Sequence, residues 1–192
     1  SVVNGSEVLI TANQAGFNVT LQNGDQFGAS VAVLRGIHPT LPVLAVGAIG
    51  DDDGPSSAGN YGAVYLLWLS LPERRVVRVQ KISNRDGGLA EAGASFAGGS
   101  RAGFSVANLG DLDRDGVDEL AVGAYLESIE DTNQGAVFVL FLHPGNGTVR
   151  AAQHIAGGAG GFTGQLAAYD HFGTAVAPAG DVDGDAVLDL AV

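Results

Sequence analysis

Three observations predict an all-β chain of short antiparallel strands grouped four to a repeated unit. Thirty glycines are scattered through the 192 residues without a three-residue period, which excludes collagen and signals many tight turns. No segment keeps a 3.6-residue apolar period, and Gly, Asn, Asp and Pro interrupt the apolar runs every several residues. The third observation is an internal repeat that spans nearly the whole chain.

The repeat gives the elements in order. Phe27-Gly28-Ala29-Ser30-Val31-Ala32 and Leu44-Ala45-Val46-Gly47-Ala48 read as the first two strands of one unit. Asn60-Tyr61-Gly62-Ala63-Val64-Tyr65-Leu66-Leu67-Trp68-Leu69 gives its third strand and returns in the next unit as Asn133 to Leu142. Val106-Ala107-Asn108-Leu109-Gly110-Asp111 is echoed by Val176-Ala177-Pro178-Ala179-Gly180-Asp181. Each copy then crosses an Asp-rich loop into Leu120-Ala121-Val122 or Leu190-Ala191-Val192. Taking Phe27, Phe104 and Phe172 as anchors gives two units of unequal length, 27–103 and 104–171. In the third strand, Val137, Val139 and Phe141 share one face and Phe138, Leu140 and Leu142 the other. Both faces are apolar, so the sheet is expected to be covered on both sides by its neighbours. Four strands to a unit is the blade size of a β-propeller.

Composition narrows the function. A 46% hydrophobic, 16% charged chain can fill a core, and its longest apolar runs, such as Ala63 to Leu69, are far too short for a membrane helix. The net charge of −12 makes nucleic acid and anionic membranes poor partners. Ser1 opens into polar, Gly-containing sequence without a signal-peptide pattern, as expected of a processed or partial chain. No Cys is present, so disulfides and thiolate chemistry are absent. No nucleophile elbow, phosphate loop or zinc-protease motif occurs, and a non-enzymatic role is expected. Three glycosylation sequons, at Asn4, Asn18 and Asn146, favour a secreted or cell-surface protein.

The acidic residues are not spread evenly. Nine of the 21 lie in two nine-residue windows, 111–119 and 181–189. Asp111, Asp113, Asp115 and Glu119 occupy positions 1, 3, 5 and 9 of the first window, with Val117 placed to offer a backbone carbonyl at position 7. Asp181, Asp183, Asp185, Asp189 and Val187 repeat the set. Alternating acids around a Gly turn wrap oxygens about one hard cation, and Ca2+, with 6 to 8 oxygen ligands and loose geometry, fits better than Mg2+. An EF-hand would need Glu at position 12, where Val122 and Val192 stand. Ala186 replaces the Gly of the first loop, so a left-handed backbone there would cost about 1 kcal/mol and weaken the second site. The corresponding stretch of the first unit, Arg35 to Pro42, carries no carboxylate and is expected to bind no calcium. Asp51-Asp52-Asp53 lacks the alternation and reads as a solvated turn. The four His read as surface or loop residues, and Trp68 and the strand Phe residues as core.

These motifs resemble the FG-GAP repeat of the integrin α-subunit N-terminal β-propeller. Phe27-Gly28 with Gly47-Ala48, and Phe172-Gly173, carry the resemblance, while the middle unit has Gly103-Phe104-Ser105 before Gly123-Ala124. The resemblance implies an incomplete ring of about two and a half repeats. Residues 1–26 would give the outer strand of a preceding blade, Glu7 to Thr11, and a connecting loop. Residues 27–103 would form a repeat without a calcium loop, 104–171 a repeat with one, and 172–192 half of a third with another. The resemblance further implies structural calcium and a protein or glycan partner on the face opposite the calcium loops. That face would comprise Asn13 to Gln26, Ile49 to Tyr61, Asn84 to Arg101, Leu126 to Gln134 and Gly157 to His171. Neighbouring blades, from a longer chain or from other chains, are the other expected partners, and the setting extracellular or at the cell surface. An accessory domain of a secreted hydrolase or lipase, and a structural tile of a surface filament, are the alternatives.

Overall fold

The computed structural model describes residues 9–55, 59–128 and 132–192, and these form ten β-strands and no helix. The first sheet joins β1 (Phe27–Leu34), β2 (Val43–Ala48), β3 (Ala63–Ser70) and β4 (Arg75–Ile82) in chain order. The second repeats this with β5 (Ser105–Asn108), β6 (Leu120–Ala124), β7 (Ala136–Leu142) and β8 (Val149–Ile155). β9 (Ala177–Gly180) pairs with β10 (Asp189–Ala191). Every pairing is antiparallel, so each four-stranded sheet is an up-and-down meander, and the set is an open, incomplete propeller.

The two faces of each inner sheet bury different partners, as the doubly apolar third strands require. Leu66 and Trp68 of β3 meet Phe138, Leu140 and Leu142 of β7 in one core between the two sheets. Val137 and Val139 point the other way, with Phe141, against Phe172, Val176 and Leu190 of the third pair. Tyr65 and Leu67 on the outer face of the first sheet are covered by the segment before β1, through Phe17, Ile10, Val19 and Leu21. Phe17 is fully buried, and the Val76 amide of β4 donates to the Ala15 carbonyl at 2.7 Å. Phe17 thus pins this segment to the outer face of the first sheet, while Asn13, Gln14 and Gly16 remain exposed. Of the expected outer strand, Leu9–Thr11 carry no strand pairing, and Glu7 and Val8 lie outside the described residues, as does Asn4.

Glycines set how closely the blades approach. A Cβ on Gly47 would collide with the Gly103 carbonyl, and one on Gly123 with the Gly173 carbonyl. Ser30 and Ser105 donate their hydroxyls to those same two carbonyls at 2.7 and 2.8 Å. Gly103 and Gly173 both sit at φ 87°, open to glycine at little cost. The parallel bridges Gly62 to Ala102 and Gly135 to Phe172 complete the equivalence. Ala102-Gly103 thus stands where Phe172-Gly173 stands, and Phe104 is not the anchor of the middle unit; its ring packs on Tyr125 at 4.3 Å. The seam demands the glycine and tolerates Ala for Phe, which is why an alignment based on the aromatic residue slips out of register.

Candidate metal centre

In a meander, the first-to-second and third-to-fourth connections fall at one end of the sheet. The acidic loop between β5 and β6 therefore lies beside the β7–β8 hairpin. Asp111, Asp113 and Asp115 each bring a carboxylate oxygen within 4.8 Å of the others, and Asp181, Asp183 and Asp189 do the same. Glu119 and Asp185 fall outside those triplets. Side-chain-to-backbone bonds shape both loops alike. Asp111 accepts from the Asp115 and Gly116 amides at 2.9 and 2.8 Å, and Asp181 from Gly184 and Ala186 at 2.7 and 3.0 Å. Asp115 accepts from the Val117 amide, and Asp185 from Val187. Position 9 closes each loop by accepting from the amide of position 2 at 2.7 Å, Leu112 to Glu119 and Val182 to Asp189.

Glu119 gives the test of fit for a cation. The residue is fully buried, its Oε2 holds the Leu112 amide, and its Oε1 has no hydrogen-bond partner. A buried, unpaired carboxylate oxygen is costly unless a cation or proton satisfies it. Burial, reinforced by Asp113, Asp115 and Asp111, pushes its carboxyl up to about 7, against the pull of the Leu112 bond. The donor set is all oxygen and suits a hard cation. Val117 is buried in the main core, which fixes position 7, and Val187 repeats it on a half-buried site.

Backbone strain is shared between the loops. Ala186 has φ 67°, the left-handed backbone expected of the second loop, but Arg114 in the first has φ 65° where the second has Gly184. Each loop holds one glycine and one non-glycine at its two left-handed positions, so this strain does not rank the sites.

Asp118 and Arg150 act where the sequence shows no sign of it, and His154 and Asp51 to Asp53 differ from what the sequence predicts. Asp118, at position 8, is an inter-blade clamp: its Oδ2 accepts from the Arg35 amide at 2.8 Å and from Asn108 Nδ2 at 2.6 Å. Arg150, from β8, is ion-paired with Asp113 and lies 3.0 Å from Asp115. His154 is a half-buried β8 residue stacked on Phe138 at 4.5 Å, and burial holds its imidazole below the usual range. Asp51 to Asp53 is not a solvated turn. Asp51 is buried, Lys81 Nζ lies 2.7 Å from both Asp51 and Asp53, and the Tyr65 hydroxyl donates to Asp51. Asp51 and Asp53 share one ammonium group that arrives from β4, two strands further along the chain. The carboxylate-free loop of the first unit is capped differently, with His38 Nδ1 accepting from the Thr40 and Leu41 amides.

At the opposite end of the sheets an open cleft of about 620 Å³ lies between Gly54, Pro55 and Tyr61 on one side and Asn84, Arg85 and Phe96 on the other. Asn84 fastens its floor through paired bonds to the Phe96 amide and carbonyl.

The FG-GAP repeat profile matches residues 102–140, starting at the Ala102-Gly103 seam and running through the first acidic loop into β7. Integrin alpha-2 from Bos taurus is 30% identical over 200 residues, covering 98% of this chain. The chain carries FG-GAP repeats of the integrin α type. Integrin alpha-2 from Mus musculus is 31% identical over 100 residues, 52% of this chain. The FG-GAP chain spans 15% of the bovine relative and 8% of the mouse one.

Proposed function

We propose that this chain is a calcium-stabilised, extracellular or cell-surface propeller module that acts in protein binding, adhesion or surface scaffolding and performs no catalysis itself. The observation that carries the reading is the orphaned, buried Glu119 Oε1 in the same loop as the clustered Asp111, Asp113 and Asp115 oxygens, an acidic pattern that recurs at 181–189. Calcium would be held by Asp111, Asp113, Asp115, Glu119 and the Val117 carbonyl, and by Asp181, Asp183, Asp185, Asp189 and the Val187 carbonyl. Its role is structural: it neutralises carboxylates that otherwise repel one another at the seam with the preceding blade. The repeat units are taken as 27–101, 102–171 and 172–192, with residues 9–26 as the cover of the first blade. A protein or glycan partner is assigned to the opposite end, where the cleft between Tyr61 and Phe96 offers a concave surface. The exposed Asn18 and Asn146 are assigned as glycan acceptors.

Thermal melts with calcium and then with excess chelator test this reading. A calcium-dependent rise in Tm that disappears in the Asp113→Ala/Asp183→Ala double variant is expected; an unchanged Tm would reduce both loops to acidic turns. A second reading, in which blades meet neighbouring blades of other chains, is favoured by Val31 and Val33 of β1, which are 60% and 54% exposed. Light scattering separates the two, since that reading requires a mass above that of one chain.

A further inference from the structure

The guanidinium of Arg150 takes carboxylate oxygens that a cation in the first loop would need. It engages Asp113 Oδ2 and Asp115 Oδ2, while Asp115 Oδ1 already accepts from the Val117 amide. Both oxygens of Asp115 are thereby committed. The strand itself places the arginine. Register shifts between Phe141 and Leu142, leaving Arg150 in a bulge of β8, and the guanidinium lies 5.5 Å from the Phe141 ring.

The first blade supplies an internal comparison. Its β3–β4 pair bulges at the same point, between Trp68 and Leu69, and the residue in the bulge is Val77. Val77 and Arg150 are separated along the chain by the same interval as Ala63 and Ala136, which open the two third strands, so the two bulge residues are repeat equivalents. The blade whose loop has no carboxylate carries Val in the bulge, and the blade whose loop is acidic carries Arg.

We infer that Arg150 is an internal counter-cation of the 111–119 loop that competes with calcium for Asp113 and Asp115 and so sets the calcium concentration at which this loop loads. A divalent ion and a guanidinium repel each other at such range, so loading requires the Arg150 head group to swing out of the bulge toward solvent. Its side chain is 27% exposed and has that route. Without Arg150 the acidic oxygens would be held apart by their own repulsion, and the loop would tend to open at low calcium. The inference rests on the reading that this loop takes calcium.

The test is calcium titration of the full chain by calorimetry in an Asp183→Ala background, which isolates the first loop. Arg150→Gln and Arg150→Val are each expected to tighten calcium binding about two- to fivefold, the range of a partly exposed ion pair, and Arg150→Lys to leave it near the parent value. In the parent, the Arg150 Nε–H resonance is expected to shift on addition of calcium and to stay put when Asp113→Ala is also present. Unchanged or weaker binding in Arg150→Gln, with Asp113→Ala still abolishing it, overturns the competition while leaving the calcium site intact. No calcium uptake by any variant removes the calcium reading and the inference together.

Discussion

Glu127 is buried and Lys81 half-buried, both outside the metal loops, and each fixes a connection at the cleft end. Glu127 is 5% exposed; burial pushes its carboxyl up to about 7, against hydrogen bonds from the Ala97 amide and Ser100. A carboxyl raised in the folded state binds its proton more tightly there than in the unfolded chain. Its contribution is therefore full below the unfolded value near 4.5 and is lost as pH rises through about 7. Glu127→Gln keeps the hydrogen-bonding shape and is expected to flatten the fall in stability between pH 5 and pH 8, by on the order of 1–3 kcal/mol. Denaturant midpoints across that range, measured with chelator present, check it. Lys81 acts with the opposite charge: burial alone would lower its pKa, but its bonds to Asp51 and Asp53 hold it well above the usual value. Lys81→Met strands the buried Asp51 carboxylate and is expected to cost roughly 2–4 kcal/mol at neutral pH, read from urea unfolding. A loss below about 0.5 kcal/mol would mean that Asp51 finds another partner.

Loops and seams answer to backbone geometry. Gly123→Ala would place a methyl against the Gly173 carbonyl, where no side chain can yield, and is expected to destabilise by about 1–3 kcal/mol or more. Ala186→Gly relieves a left-handed alanine at φ 67° and is expected to gain about 1 kcal/mol in calcium-loaded protein. Arg114→Gly should do the same for the first loop, and equal gains in the two would confirm that strain does not rank the sites. Differential scanning of the single variants separates these cases.

At the scale of the molecule, the first two blades share one core, with Trp68 of β3 buried in the same cluster as Phe138 of β7. The chain's single tryptophan therefore reports on both sheets. Trp fluorescence and far-UV circular dichroism are expected to lose their signals in one coincident transition. Separate midpoints would mean that the blades unfold independently despite the shared core.

The all-β class, the four-stranded unit, the faces of β7 and the two acidic loops were legible in the sequence, because strand periodicity and loop spacing are local properties and the repeat displays them more than once. The absence of carboxylates from Arg35 to Pro42 was equally plain. What only the tertiary structure decided are contacts between segments distant in sequence. Lys81 converts Asp51 to Asp53 from a turn into a buried network, Asp118 reaches the previous blade, and Arg150 enters its own blade's loop from the fourth strand. The slip at Phe104 has the same origin. The middle anchor is set by the fit of Gly103 against Gly47 across the seam, and a steric limit between two backbones leaves no mark on the chain except the glycine itself.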